Sequence, residues 1–575
     1  MKKVLCYLKD YKKECILAPL FKMTEAVFEL FVPLVIAEMI DRGIGQADKT
    51  AVIKDFILLL VLGAVGLTVS IIAQYFSAKA ATGFAARLRH HLFEHMMGLS
   101  FTEIDHIGTS TMIARMTNDV NQAQNGVNMF LRLFLRSPFV VFGAMIMAFT
   151  IDFKCAMIFV LAILGLGIIV FLITVVNIKM LTVVQGRLDR VLKKTRENLE
   201  GVRVIRAFCR EQKEEKEFYR ENHLLTKKQK LAGCVSGLMN PMTYILINIA
   251  IVLLIHTGSI RVSLGVLSQG AVVALYNYMS QILVELIKLA NLIVTLSRAM
   301  ASIRRIEEVF DIENTMENGT VKEGNFDEIV FDHVGLTYSG NSEESLTDIS
   351  FSMKKGQTVG IIGGTGSGKT SLVHLLPRFY DVTAGQILLD GKNLKDYDIA
   401  FLRDHISVVM QTAAMFRGTV EENLCLRGKQ VSGEELQQAV SISQSKDVVE
   451  KKGGLDGKIE QHGRNLSGGQ KQRLSIARAL TGNPDVLILD DSSSALDFAT
   501  DAALRRELQK IKQDKMIFIV SQRTSSIQQA DLILVLEDGR LVGKGTHEEL
   551  LNQCEVYREI YESQYSGLKK EGQQS

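Results

Sequence analysis

Residues 358–376 read Thr-Val-Gly-Ile-Ile-Gly-Gly-Thr-Gly-Ser-Gly-Lys-Thr-Ser-Leu-Val-His-Leu-Leu, and this stretch decides how the second half of the chain folds. The run 358–362 has the make-up of a short buried strand, and 371–376 carries a helix-like apolar face. Between them Gly363, Gly364, Thr365, Gly366, Ser367, Gly368, Lys369 and Thr370 match the spacing G-x-x-x-x-G-K-[ST]. Strand, glycine turn and helix start are the context in which backbone N–H groups and a helix dipole face phosphate oxygens. In that setting Lys369 reaches the β- and γ-phosphates of a nucleotide and the Thr370 hydroxyl ligates Mg²⁺, with Ser371 beside it. An ordinary glycine-rich turn does not require this lysine and threonine.

Working outward, 484–491 reads Pro-Asp-Val-Leu-Ile-Leu-Asp-Asp. A buried parallel strand delivers acids at its C-terminal end, where open α/β sheets bind ligands. Asp490 is then placed to hold Mg²⁺ beside Thr370, and Asp491 lies next to an attacking water. Between the two motifs stand Leu466, Ser467, Gly468, Gly469 and Gln470, a Ser-Gly-Gly turn opening a long helix. That is a second anion site, and one nucleotide does not need two cradles from one domain. A head-to-tail pair resolves this, with the second loop capping the nucleotide held by a partner.

The chain has 575 residues, enough for several domains, and its net charge of +3 argues against a nucleic-acid binder. Seven scattered cysteines, without C-x-x-C, suggest neither disulfides nor a zinc site. The first three hundred residues hold long apolar runs. Six stretches, roughly 16–39, 53–78, 130–151, 154–177, 235–257 and 270–297, are long enough to cross a hydrocarbon core as helices. Although 15–21 follows basic residues, Lys22, Glu25 and Glu29 interrupt it as a secretory signal. Residues 2–12 read instead as a basic amphipathic helix on the membrane surface, with Val4, Leu5, Leu8 and Tyr11 on one face. The segment 179–230 holds fifteen Lys or Arg, which by the positive-inside rule puts both termini in the cytosol. The two inner connections, about fifty residues each, read as helical: 80–97 and 110–127, broken near Gly98 and Gly108, then 188–218. The expected organisation is a membrane domain over 1–312, a linker over 313–326, a soluble α/β domain over 327–566 with its first strand in 334–338, and a disordered tail over 567–575.

With these residues the chain closely resembles the ATP-binding cassette exporters, as one half-transporter: a six-span helical membrane domain with long cytosolic helix extensions, then an α/β P-loop cassette with a helical subdomain. The resemblance covers nearly all of the chain, and 466–470 is close to diagnostic. It implies ATP and Mg²⁺ as ligands, membrane lipids and a small-molecule substrate as partners, and a bacterial plasma-membrane setting. It also implies that Tyr338 stacks on adenine, that Gln411 contacts Mg²⁺ and senses the membrane domain, and that Asp497 lies in a loop crossing the dimer interface. The segments 108–120 and 200–208 resemble the two that couple spans to cassettes.

Two positions depart from the family pattern. Asp491 stands where the family has Glu, and one methylene less withdraws the carboxylate by ~1 Å, a displacement that costs on the order of 10²-fold. Gln522 stands where the family has a histidine on the γ-phosphate, and Gln offers neither positive charge nor a transferable proton. Together they predict a cradle that binds ATP and hydrolyses it slowly, in a heterodimer whose competent site is capped by this chain's intact 466–470 loop.

Intramembrane charges are expensive and should face a cavity or a partner. Lys22, Glu25 and Glu29 share one helix face, as do Glu285, Lys288 and Asn291. Either they line a polar cavity for cationic or amphipathic cargo, or Lys22–Glu25 and Glu285–Lys288 pair locally. The expected function is ATP-driven export of amphipathic small molecules, drug-like, lipid or peptide. An ATP-gated channel or regulatory subunit is the alternative.

Overall fold

The computed structural model describes residues 2–338, 343–427 and 431–571. The chain divides into two compact units: Met1–Met97 with Ser110–Ile312, and Gly98–Thr109 with Glu313–Ser575.

The first unit is helical. Five of its helices are long and apolar enough to cross a membrane: Lys49–Gly98, Thr109–Ile151, Phe153–Glu200, Glu211–Ser263 and Gln269–Phe310. The count of six expected from the sequence therefore stands at five by length and composition. The stretch expected as the first span is a helix, Lys12–Glu38, but Lys22, Glu25 and Glu29 keep it out of that set. The 50-residue helix Lys49–Gly98 is ~75 Å long at 1.5 Å per residue, against a hydrocarbon core of ~30 Å. Its first half exposes Ile53, Phe56, Leu60 and Leu67, while its second half buries Ala80, Phe84, Leu88 and Leu92 among Val120, Ala123, Ile303 and Ile306. Val4 is fully buried in that same cluster, with Tyr7, Leu8 and Tyr11 packed against it. Of the four residues on the expected apolar face, Val4, Leu8 and Tyr11 thus pack on the helical bundle, while Leu5 stays exposed. Further along, Tyr278 is buried and its hydroxyl donates to the Leu30 carbonyl at 2.6 Å, tying the last helix to the first.

Two short π-helical turns, Met39–Ile44 and Arg115–Asp119, interrupt this unit, and both aim a carboxylate. Asp41 accepts from the Gly270 N–H at 2.8 Å, at the start of the last helix. Asp119, buried, accepts from Arg115 at 2.9 Å and from Arg305.

The second unit is the α/β part. Its central sheet runs in the order Arg540–Gly545, Leu532–Glu537, Thr358–Gly363, Met516–Val520, Val486–Asp490, Ile406–Val409, all parallel except the first. Thr358–Gly363 and Val486–Asp490 are buried at every position, as parallel strands covered on both faces must be. A four-stranded antiparallel sheet, Leu346–Lys354, Glu328–Leu336, Ala384–Leu389 and Lys392–Asn393, packs its apolar side into the same core. Its first strand begins earlier than the expected 334–338 because Ile329 and Phe331 already point into that core. A separate helical cluster holds Val420, Leu424, Leu436, Val448, Leu466 and Leu474. The final helix, Glu555–Glu571, takes up part of the expected tail, and 572–575 lies outside the described residues.

The short segment Gly98–Thr109 belongs to this second unit although its neighbours in sequence belong to the first. It carries the helix Phe101–Ile107, opened by a capping box of Ser100 with Glu103 and closed by Gly108 at φ +77°. Glu103 accepts from the Thr315 hydroxyl at 2.5 Å, Phe101 lies 4.7 Å from Phe379 by ring centroids, and Tyr380 donates to Asp105 at 2.6 Å. The segment that clusters with the α/β unit is thus Gly98–Thr109, while from Ser110 onward the expected coupling stretch 108–120 belongs to the helical unit. Replacing Tyr380 with Phe removes a hydrogen bond to a carboxylate, which is worth about 1.5–3 kcal/mol. Faster amide exchange across 98–109 in Tyr380→Phe is the expected result.

Candidate nucleotide site

The strand Thr358–Gly363 ends level with its neighbours: Ile361 pairs with Val520, and Val520 with Asp490. This places the glycine loop beside both carboxylates. Two glycines of the loop are there for lack of a side chain. A Cβ on Gly363 would sit 2.1 Å from the Leu536 carbonyl, and Gly368, at φ +91°, would strike Leu346 at 2.7 Å. The Lys369 ammonium, carried back over the loop, donates to the carbonyls of Gly363 at 2.9 Å and Gly364 at 2.5 Å. Residues 366–371 line a cavity of about 640 Å³ together with Glu343, Glu344, Ser345, Asp538 and Gly539.

Around the strand end four side chains converge. Thr370 donates to Asp490 at 3.0 Å, and Gln411 donates to Asp491 at 3.3 Å. Asp490 and Asp491 are both buried, and burial pushes each carboxyl above the usual carboxylate range. Burial likewise lowers the Lys369 ammonium. Asp491 is held at φ +46°, in the left-handed region that Asp tolerates better than most residues. Two neighbours were not signalled by the motif. His374 brings Nε2 to 3.7 Å from Asp490, and burial lowers its pKa; Arg523 stacks 5.0 Å over Phe498, with its charge acting on Asp491. His374 lies one helical turn beyond Thr370, a spacing that could have found it. Gln522 is exposed, and its carbonyl accepts from Gln564 at 2.8 Å. Tyr338 donates to Ser371 at 2.9 Å and meets Tyr380 edge-on at 4.9 Å.

These residues fit a magnesium nucleotide. The glycine turn admits no Cβ at Gly363 or Gly368, the lysine stands over the loop, and two buried carboxylates of raised pKa await a cation. Thr370, Gln411 and Asp490 would hold Mg²⁺, which would supply charge neutralisation at the phosphates.

A carboxyl whose pKa rises on folding adds stability below its unfolded value and loses that contribution as pH climbs through the folded one. Asp490 and Asp491 therefore oppose folding at neutral pH in the absence of a cation. Asp490→Asn should raise the nucleotide-free unfolding temperature at pH 7. The gain should vanish below the ordinary aspartate range, and Mg²⁺-dependent stabilisation by ATP should be lost. Thermal melts at two pH values check this.

The second loop is built as a helix start. Ser467 caps Gly468–Leu480, accepting from Gln470 N at 3.3 Å, while Gln470 Oε1 accepts from Ser467 N at 2.9 Å. Leu466 is buried in the helical cluster, and a Cβ on Gly469 would lie 3.0 Å from the Ala495 carbonyl. Asp497 caps Phe498–Ile511 through Thr500 N at 2.9 Å, which holds its carboxyl below the usual range. None of these residues lines the cavity at 366–371.

In the helical unit the structure joins charges that the sequence placed on separate faces. Buried Arg136 donates to Glu285 and to Glu29, each at 2.6 Å, and Glu285 also accepts from Ser137 and Lys288, each at 2.8 Å. Lys22 donates to Glu25 at 2.5 Å. Both local pairs weighed from the sequence are formed, and Glu285 is fully engaged. Asn291 is exposed and accepts at its carbonyl from Thr295.

Comparison with known proteins places this architecture. Residues 15–286 match the family described as ABC transporter transmembrane region, and residues 346–494 match the ABC transporter family. The chain is 35% identical to an uncharacterized ABC transporter ATP-binding protein, YfiB, of Bacillus subtilis, over all of both chains. It is 29% identical to the ATP-dependent lipid A-core flippase of Yersinia pestis, over 97% of this chain and 96% of that one. Its fold matches a bacterial Atm1-family ABC exporter solved with ATP bound, at a TM-score of 0.79 and 21% identity, covering 97% and 98% of the two chains. The chain belongs to the ABC transporter family. It is an integral membrane protein that carries the transmembrane region and the ATP-binding domain of an exporter half in one polypeptide.

Proposed function

We propose that this chain is one half of an ATP-driven exporter of amphipathic small molecules, paired with a different half-transporter, and that its own nucleotide site hydrolyses ATP weakly. ABC exporters function as dimers; the heterodimer is our reading. The observation that carries it is the contrast between two parts of one cassette. The glycine loop, Lys369, Thr370 and Asp490 form a complete cradle, yet Asp491 is short and Gln522 offers no transferable proton. Meanwhile 466–470 is a fully capped helix start away from this chain's own cavity, as a loop serving a partner's nucleotide would be. With Lys12–Glu38 taken as a sixth span both termini lie on one side, and the fifteen Lys or Arg of 179–230 favour the cytosol of a bacterial cell for that side.

In this reading Lys369 binds phosphate, Thr370, Gln411 and Asp490 orient the metal, and Gly98–Thr109 passes cassette closure to the helices on either side of it. An amphipathic cargo agrees with the flippase relative, whose substrate is a lipid. ATP-dependent uptake into inside-out vesicles tests the export reading. Accumulation against a gradient supports it, whereas an ohmic conductance with no accumulation would make the chain a gated channel.

A further inference from the structure

The two oxygens of Asp490 are served unequally. The Thr370 hydroxyl donates to Oδ1 at 3.0 Å, while Oδ2 faces Nε2 of His374 at 3.7 Å. That separation is just beyond a hydrogen bond. His374 Nε2 is itself buried and finds no hydrogen-bond partner among the described residues. A buried polar nitrogen left in this state is costly and calls for a use. The carboxylate beside it selects the tautomer with hydrogen on Nε2, because a lone pair there would face anionic oxygens. Burial lowers the pKa of the ring, so at pH 7 it is a neutral donor and adds no charge against a cation.

The imidazole rests on a second ring. Phe379 meets it edge-on, with centroids 5.3 Å apart, and the Phe379 N–H donates to the His374 carbonyl at 3.1 Å. Arg403 fixes this turn: it donates to the carbonyls of Pro377 at 3.0 Å and Arg378 at 2.8 Å, and its guanidinium lies 5.5 Å over the Phe379 ring. Phe379 also packs 4.7 Å from Phe101 of the helix Phe101–Ile107. Phe101 is 37% exposed, so it can shift without opening the core. Asp490, His374, Phe379 and Phe101 thus form a contiguous row inside the α/β unit.

We propose that His374 is a positioning residue for the metal carboxylate: its Nε2–H fixes the second oxygen of Asp490, and the helix Phe101–Ile107 sets the angle of its ring through Phe379. A carboxylate held at one oxygen turns about its Cβ–Cγ bond, whereas one held at both presents a fixed lone pair to a cation. Closing 3.7 Å to about 3 Å needs only a small tilt of the imidazole, and Phe379 is the surface on which it tilts. Movement of Phe101 therefore changes how well Asp490 is aimed, and by linkage a cation at Asp490 biases Phe101. The proposal rests on the cradle holding a magnesium nucleotide, and on neither the heterodimer nor the cargo.

The test titrates a fluorescent nucleotide, mant-ATP, onto the full-length chain in nanodiscs, once with Mg²⁺ and once with EDTA. It reads the gain in affinity that Mg²⁺ gives. The unmodified chain should show a gain; a chain without one overturns the magnesium-nucleotide reading and this proposal with it. His374→Leu should cut the gain about tenfold, the usual cost of removing the partner of a metal ligand, with affinity in EDTA unchanged. His374→Gln, whose side-chain N–H stands in for Nε2–H, should restore most of it. Phe101→Ala should cut the gain about fivefold, the low end of coupling between separate sites. With the unmodified gain in place, the proposal alone is overturned if His374→Leu or Phe101→Ala keeps the full gain. It is equally overturned if His374→Gln fails to restore what His374→Leu loses, or if His374→Leu weakens binding as much in EDTA as in Mg²⁺, since His374 is then a packing residue.

Discussion

Replacing Asp491 with Glu and Gln522 with His together should raise ATP turnover at this chain's own cradle by on the order of 10²-fold. The reason is geometric. Asp491 already sits where Gln411 can donate to it, at 3.3 Å, and beside Lys369 and Asp490. What it lacks is one methylene of reach, and ~1 Å at a reacting atom is worth about that factor. Glu pays a small penalty for the left-handed backbone at this residue, φ +46°, because that region favours Asp and Asn. That penalty acts on stability and leaves the sign of the turnover effect unchanged. Gln522 is exposed at the strand end, so a histidine fits there without repacking. Single-turnover assays on the double variant, with Lys369→Ala as the dead reference, measure the gain. No gain would count against the proposed weakness of this cradle.

Removing Arg136 should have the largest effect on the helical unit. Arg136 is buried and bridges Glu29 on Lys12–Glu38 to Glu285 on Gln269–Phe310. Arg136→Ala leaves Glu285, itself buried, with Lys288 and Ser137 but without its main counter-ion. Breaking one side of a buried pair costs about 3–5 kcal/mol, since the remaining charge stays out of water. The paired change Arg136→Met with Glu285→Met should recover most of that loss, because replacing a whole buried pair by apolar groups is often neutral. Denaturation of the purified chain in detergent separates the outcomes. If the single and double variants unfold alike, the pair is not what holds these helices.

The nucleotide cradle was legible from the sequence because its elements are contiguous. Strand, turn, lysine and threonine occupy 358–376, and the spacing alone fixes which backbone atoms face the phosphates. The Arg136 cluster was not legible, since its members are 107 and 149 residues apart and helical periodicity reports only neighbours on one face. The available signal was the pair Arg132 and Arg136 inside an otherwise apolar run at 130–151, charges whose cost in a membrane demanded partners. The packing of 98–109 on the α/β unit was not legible for a related reason. Gly98 and Gly108 both mark helix ends, and nothing local says that the seven residues Phe101–Ile107 pack against Phe379, Tyr380 and Thr315, more than two hundred residues away. The first helix, Lys12–Glu38, reads ambiguously for the same charges that make it useful. Lys22, Glu25 and Glu29 spoil its apolar character and also build its ion pairs.

The central claim is that this cassette holds ATP in a weak cradle and lends its 466–470 loop to a stronger one. Affinity purification of the tagged chain from its native membrane, followed by identification of any stoichiometric partner, tests this most directly. The account predicts a second ABC half-transporter with Glu and His at the positions matching Asp491 and Gln522. Recovery of homodimers with brisk ATPase activity would contradict it.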